Sequence, residues 1–365
     1  MGRKRMISGN SFFSTRSPEK VSRYGSRFTG LYPHIFDCRN FRVYQHKDMG
    51  LKVTLESILF GAYATRSDDV EFRRIAQRGG HFLDIGTGTG ILSLILAQQL
   101  DSKFSTLGRE IAPLSASRIH ALDSDACAHQ QASENFGHSS SSNEDGNSER
   151  STEHEMALER WRDSLKLHLL DFKRANQVEE AQIWQPCSFD WIICNPPFHK
   201  RPPLKTKRGG SLSSISRERA RFAENLPTPT LMQKASGLLK PGGTLWVLQS
   251  FQNERECIEA AAMRSLSLAE RLRIRFRPNA APKRTILKFE KQSGSEAALG
   301  GYSLEADELS KEESPPHSHH ATANCVENEI TVLTNGDKGE LRYSEAFRQL
   351  VAHLYVDEML HSVYT

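Results

Sequence analysis

The chain has 365 residues, of which 48 are Lys or Arg and 44 are Asp or Glu, a formal charge of +4, and 38% are hydrophobic. That length suits one large α/β domain or two ordinary ones, and the low apolar share predicts disordered stretches. No apolar run approaches the ~20 residues of a membrane-spanning helix, which excludes that class. Six cysteines, at Cys38, Cys127, Cys187, Cys194, Cys257 and Cys325, include no Cys-x-x-Cys pair. This excludes a zinc ribbon and a dense disulfide framework and points to a reducing compartment, the cytoplasm or an organelle matrix.

Residues 1–35 read as a disordered basic arm. Its first 30 residues carry Arg3, Lys4, Arg5, Arg16, Lys20, Arg23 and Arg27 against one acid, Glu19. A transit peptide, an RNA-binding arm and a solvated tail all fit that composition. From Phe36 to Ala64, the short apolar stretches FRVYQH and LKVT precede LESILFGAYA, the pattern of a hairpin and the start of a helix. HFLDI (81–85), GTGTG and ILSLILAQQL (91–100) read as strand, glycine turn and helix, the opening of a doubly wound sheet. Further strands are expected at RIHALD (118–123), LKLHLL (165–170), FDWIIC (189–194), GTLWVLQS (243–250), RLRIRF (271–276) and RTILKFE (284–290). The last two have no helix between them, which predicts a terminal antiparallel hairpin.

The expected fold is therefore an α/β, Rossmann-like domain over residues 36–290, with a doubly wound seven-stranded sheet and an antiparallel last strand. Two stretches read as disordered insertions. Residues 137–160 open on the Ser-, Asn- and Glu-rich GHSSSSNEDGNSERSTEHE, and residues 291–330 combine Gly, Ser, Pro and His with mostly acidic charge. His317, His319 and His320 lie in the second with no companion ligand spacing, so no metal is expected. Residues 331–365 read as a C-terminal segment packing on the domain.

The chemistry begins at Asp84-Ile85-Gly86-Thr87-Gly88-Thr89-Gly90. Glycines at alternate positions let the backbone turn sharply and approach a ligand without a Cβ in the way. The G-x-G-x-G spacing differs from that of dinucleotide folds, and Asp84 would repel a pyrophosphate. It suits a ligand carrying an ammonium and a sulfonium, the charge pattern of S-adenosylmethionine. A second acid at the end of the next strand, Asp123, is placed to take ribose hydroxyls. Asp125 is its rival, read as a cap on the helix through Ala126 to Phe136. Asp171, after the third strand, is placed to accept from the cofactor's adenine amine, or else caps a helix.

Asn195-Pro196-Pro197-Phe198 directly follows the strand FDWIIC. Two prolines remove two backbone donors and stiffen the turn, leaving the Asn195 side-chain oxygen and the Pro196 carbonyl to accept from one amino group. A conjugated amine is a poor nucleophile because its lone pair is delocalised. Two acceptors holding its protons favour pyramidal geometry and localise that pair, a form of electrostatic preorganisation. Phe198 offers a face for stacking on a planar target. Taken alone, the four residues also fit an ordinary turn.

With these motifs the chain resembles the amino-methyltransferases of the class I S-adenosylmethionine-dependent fold, whose (D/N/S)-P-P-(Y/F/W) motif marks methylation of adenine N6, cytosine N4 or glutamine N5. FRVYQHKDMGLKVTLESILFGAYA followed by FLDIGTGTGILSLILAQ is similar to the bacterial family that methylates N6 of adenine 37 in a valine tRNA. That family's pattern there runs F-x-x-x-Q, then M-K-V-x-T-D-x-x-L-L-G-x-W; Lys52, Val53, Leu59 and Gly61 fit, while Leu55-Glu56 replaces Thr-Asp. SRERARFAENL (216–226) and YSEAFRQLVAHLY (343–355) also look like its segments. The likeness covers roughly residues 36–290 and the C-terminal stretch.

The resemblance implies S-adenosylmethionine as cofactor and structured RNA, most plainly tRNA, as partner, for a monomer acting without metal or membrane. Asp84, Gly86, Thr87, Gly88 and Gly90 would hold the methionine end, Asp123 the ribose and Asp171 the adenine. Asn195, with Pro196, Pro197 and Phe198, would orient the target amine beside the cofactor. Ribosomal RNA adenine and glutamine of a release factor are the competing substrates, and a silent RNA-binding scaffold is the competing class. Basic runs support a nucleic-acid partner: Lys200, Arg201, Lys205, Lys207 and Arg208 form one, and seven basic residues between Arg271 and Lys288 form another, neither with an acid among them.

Overall fold

The computed structural model describes residues 35–45, 53–108, 111–138, 148–173, 185–196, 226–293, 325–335 and 341–355. The leading segment folds as β1 (Ile35–Asp37) paired antiparallel with β2 (Arg42–Tyr44), then α1 (Leu55–Ala64) and α2 (Val70–Arg78). The expected hairpin is present, but RVY pairs with IFD rather than with LKVT, because Val53 and Thr54 lead into the helix. Thr54 caps α1: Ser57 N–H donates to Thr54 Oγ1 (3.2 Å) and Thr54 N–H to Ser57 Oγ (3.1 Å), a reciprocal pair that satisfies two otherwise orphan donors.

The domain proper runs β3 (His81–Ile85), α3 (Ile91–Leu100), β4 (Arg118–Asp123), α4 (Ala126–Asn135), α5 (Ser148–Trp161), β5 (Leu165–Leu169) and β6 (Phe189–Cys194). It continues as α6 (Thr228–Leu238), β7 (Leu239–Ser250), α7 (Glu254–Ala262), β8 (Leu266–Arg275) and β9 (Arg284–Lys291). The tail adds β10 (Val326–Thr331), the small pair β11 (Leu333–Asn335) and β12 (Leu341–Tyr343), and α8 (Glu345–Val351). The main sheet has the order β10-β8-β9-β7-β6-β3-β4-β5. It is parallel from β5 through β7, and β9 is antiparallel to both β7 and β8.

Successive residues of the central strands alternate between two cores, as the period of two requires. Phe82, Trp191 and Ile193 face one core with α1, α3 and the hairpin. Leu83, Ile85, Ile192 and Cys194 face the other with α6 and α7. Both faces of the sheet are covered, so β6 reads as a continuous apolar run and is buried along its whole length.

Three expectations are corrected. The sheet has an eighth strand, β10, parallel to β8, so residues 326–330 leave the stretch read as a disordered insertion. VENEIT carries little apolar pattern; it docks because Glu327 and Glu329 pair with Arg271 and Arg275 while Ile330 is buried. Helix α5 occupies much of the supposed insertion 137–160. Its Ala157, Leu158 and Trp161 are buried, and Trp161 Nε1 and Arg160 Nε both donate to Asp101 at the end of α3 (2.8 and 3.0 Å). Finally, β7 begins at Leu239, four residues before the expected start.

Candidate active site

β4, β3 and β6 are neighbouring parallel strands whose register sets Leu122 beside Ile85 and Ile85 beside Cys194. The next residues, Asp123 as the last of β4 and Gly86 and Asn195 just beyond β3 and β6, therefore stand in one row, with strands about 4.8 Å apart. The chain winds outward from β3 through β4 to β5 and then returns to β6 on the other side. Connections thus diverge between β3 and β6, and the crevice outside the carboxyl ends at such a point is where doubly wound sheets bind ligands.

The glycine turn is held from beneath. Gly86 N–H and Thr87 N–H both donate to Leu122 O (2.9 Å each), and Gly90 N–H donates to Thr87 O (2.8 Å). Gly86, Gly88 and Gly90 have φ of +72°, +58° and +84°, a region that other residues enter only with strain. A Cβ at Gly86 or Gly88 would meet nothing within 4 Å, whereas one at Gly90 would lie 2.5 Å from the Phe136 ring. The first two glycines leave open space for a ligand; the third is required for packing.

Asp84 is fully buried. Its Oδ2 accepts from Thr87 Oγ1 and Ser93 Oγ (2.7 Å each), and its Oδ1 is buried with no partner. Burial pushes its pKa up to about 6, against the hydroxyl hydrogen bonds that favour the charge. A carboxylate oxygen left without a donor in such a place is costly, and an ammonium would satisfy it. Asp123 accepts from Gly88 N–H through Oδ2 (3.0 Å) and from Asp125 N–H through Oδ1 (2.9 Å). Burial raises its pKa while those two hydrogen bonds oppose the rise. The Ser124 backbone contributes a third such hydrogen bond, and a carboxylate with about four acceptor sites keeps capacity for a further donor.

Asp125 caps α4, accepting from Cys127 N–H (2.8 Å) and Ala128 N–H (3.4 Å). Asp171 is partly exposed beyond β5, where its Oδ1 accepts from Lys173 N–H (2.9 Å), so its local role is a turn. Asn195 is partly exposed and Pro196 is buried. Pro197, Phe198, the basic run Lys200–Arg208, His317, His319 and His320 lie outside the described residues.

Contacts not foreseen from sequence complete the site. Ser93 shares Asp84 with Thr87. Asn135, at the end of α4, donates to Thr89 O (2.8 Å) and Tyr44 O (3.0 Å) and accepts from Tyr44 N–H (2.8 Å). It staples the leading hairpin to the glycine turn. Glu56 pairs with Arg284 (3.3 Å), which stands opposite Ser250 at the carboxyl end of β7. The start of α1 therefore lies at the same edge of the sheet as the crevice.

The basic run between Arg271 and Lys288 is corrected. Arg271 and Arg273 pair with Glu254, Arg271 also with Glu327, Arg275 with Glu329, Arg284 with Glu56 and Lys288 with Asp69. Five of its seven cations are compensated by acids from elsewhere in the chain, so this strand pair is not an open cationic face. Among the described residues, no group of three or more His, Cys, Asp or Glu converges as metal ligands would, and no helix is long and apolar enough to cross a membrane.

No family model matches the chain. It is 28% identical over 270 residues to the tRNA1(Val) (adenine(37)-N6)-methyltransferase of Christiangramia forsetii, covering 74% of this chain and 89% of that protein. It is 29% identical over 256 residues to the protein of the same name from Salmonella arizonae, covering 68% and 79%. Among solved structures it is similar to a predicted O-methyltransferase from Agrobacterium tumefaciens, with TM-score 0.47, 11% identity, and 81% and 95% of the two chains covered. A TehB-like S-adenosylmethionine-dependent methyltransferase from Corynebacterium glutamicum gives TM-score 0.34 and 14% identity, with 67% and 90% covered.

S-adenosylmethionine fits the residues present. The unpartnered Asp84 oxygen suits its ammonium, the open space above Gly86 and Gly88 suits its chain, and the remaining acceptor capacity of Asp123 suits a ribose diol.

Proposed function

We propose that this S-adenosylmethionine-dependent methyltransferase methylates N6 of an adenine in structured RNA, with tRNA near the anticodon as the substrate. The observation that carries this reading is the position of Asn195 and Pro196 at the end of β6, level with Gly86 and Asp123 across adjacent strands. The names of the relatives support the choice of adenine and of tRNA.

Bound in the crevice, the cofactor supplies an electrophilic methyl group on a sulfonium. Asn195 Oδ1 and the Pro196 carbonyl accept the two protons of the target amine, which pyramidalises the nitrogen and aims its lone pair across the row. Phe198 stacks on the adenine once it has left its base stack. Asp123 holds the ribose and Asp84 the ammonium, so the donor is fixed while the acceptor is turned toward it. The proton released after transfer passes to solvent. Lys200, Arg201, Lys205, Lys207 and Arg208 follow the N-P-P-F turn within ten residues and contact phosphates beside the target base.

The purified protein with labelled cofactor should methylate tRNA transcripts, and nucleoside mass spectrometry should identify N6-methyladenosine. Methylation of ribosomal RNA alone, or of a release-factor peptide in place of RNA, would overturn the substrate assignment.

A further inference from the structure

We infer that Gln45 is a cofactor-binding residue whose side-chain amide donates to the methionine carboxylate of S-adenosylmethionine. This rests on the cofactor and not on the identity of the RNA. Gln45 is 1% exposed. Its Oε1 accepts from Val53 N–H (2.7 Å), closing the base of the loop between β2 and α1, while its Nε2 is buried and makes no hydrogen bond. A buried amide donor left empty is costly, so a residue that uses only its acceptor for structure has its donor to offer.

Two anchors locate that donor. Tyr44, the preceding residue, is bound through both its N–H and its carbonyl to Asn135, whose amide also holds Thr89 O in the glycine turn. Val53, its Oε1 partner, precedes the Thr54 cap of α1, and the Glu56–Arg284 pair holds that helix start at the carboxyl edge of the sheet. Gln45 thus sits between the Asn135 staple, which reaches the glycine turn, and the residue before the α1 cap.

The glycine turn has a single uncommitted N–H, that of Thr89, to offer this contact. Four of its five N–H groups are committed internally: Gly86 and Thr87 to Leu122 O, Gly88 to Asp123, and Gly90 to Thr87 O. The amino-acid end of the cofactor is a zwitterion and needs an acceptor for its ammonium and a donor for its carboxylate. The unpartnered Asp84 Oδ1 and Gln45 Nε2 are that acceptor and that donor.

Gln45→Glu keeps the acceptor for Val53 N–H and removes the donor; Gln45→Met removes both without charge. Calorimetry with S-adenosylmethionine and with 5′-methylthioadenosine, which has the adenosine and sulfur but no amino-acid end, reads the contact directly. Both variants should bind S-adenosylmethionine at least tenfold more weakly and methylthioadenosine within about twofold of the wild type. S-adenosylmethionine affinity unchanged in both variants, or an equal loss on both ligands, would overturn the assignment; the second result would make Gln45 a structural brace. A wild type that binds neither ligand would instead remove the cofactor reading itself.

Discussion

Replacing Asp84 by Asn should abolish a pH dependence of cofactor binding that the wild type shows. The carboxyl is fully buried and its pKa is pushed up to about 6, while pairing with an ammonium at Oδ1 requires the ionised form. Binding below pH 6 must then release a proton, and the apparent dissociation constant grows by the factor 1 + 10^(pKa − pH). That factor is about 1.1 at pH 7 and about 11 at pH 5, the latter equivalent to ~1.4 kcal/mol. Burial also raises Asp123, so a control ligand is needed. Methylthioadenosine keeps the ribose but lacks the ammonium, and it carries the Asp123 contribution alone. Calorimetry across this range should show S-adenosylmethionine affinity falling with acid about tenfold more than methylthioadenosine affinity in the wild type, and no such difference in Asp84→Asn. Parallel pH profiles for the two ligands in the wild type would refute the Asp84–ammonium pairing. The same shift has a consequence for the apoprotein. Because the folded pKa lies above the ordinary aspartate value of 3.8, the Asp84 contribution to stability is present below that value and is lost as pH rises through about 6.

Asp123→Ala should weaken S-adenosylmethionine at least tenfold, ~1.4 kcal/mol, by removing the acceptor for the ribose diol; calorimetry checks it. Asn195→Ala should lower the single-turnover rate by ~100-fold, ~2.7 kcal/mol, with cofactor and RNA affinities changed only a few-fold, since its contacts strengthen in the transition state. Phe198→Ala should instead weaken capture of the flipped base, by ~1–3 kcal/mol in RNA binding. Replacing Lys200, Arg201, Lys205, Lys207 and Arg208 together should flatten the salt dependence of RNA binding by about 0.7–0.9 in log slope per lost contact. Arg271→Ala and Arg273→Ala together should leave that slope unchanged and lower the melting temperature, because Glu254, 6% exposed, would lose both partners at a cost of ~3–5 kcal/mol.

Much of the fold was legible locally. HFLDI, RIHALD and FDWIIC are short apolar runs bounded by turn residues, and each forms a strand at its expected limits. ILSLILAQQL forms its helix directly after Gly90. The order of these elements also set the acid before the glycines and the acid ending RIHALD at the same end of adjacent strands, because right-handed crossovers leave few ways to wind such a series. Contacts across long separations were not legible. Nothing around Asn135 announces a staple, since its partners Tyr44 and Thr89 lie 91 and 46 residues away. Gln45 stood in sequence only as the Q of an F-x-x-x-Q pattern; that its amide is buried and half-used appears only in the tertiary structure.

The run from Arg271 to Lys288 shows the same limit in reverse. Read along the chain it is cationic, because the acids that neutralise it come from α1, α7, β10 and the residue before α2. Charge is a property of the surface that folding assembles, and only the tertiary structure decides which ions become neighbours. Backbone geometry and hydrophobic period act over a few residues and can be read from the sequence alone; hydrogen-bond satisfaction and charge compensation act through space, and the chain order does not record them.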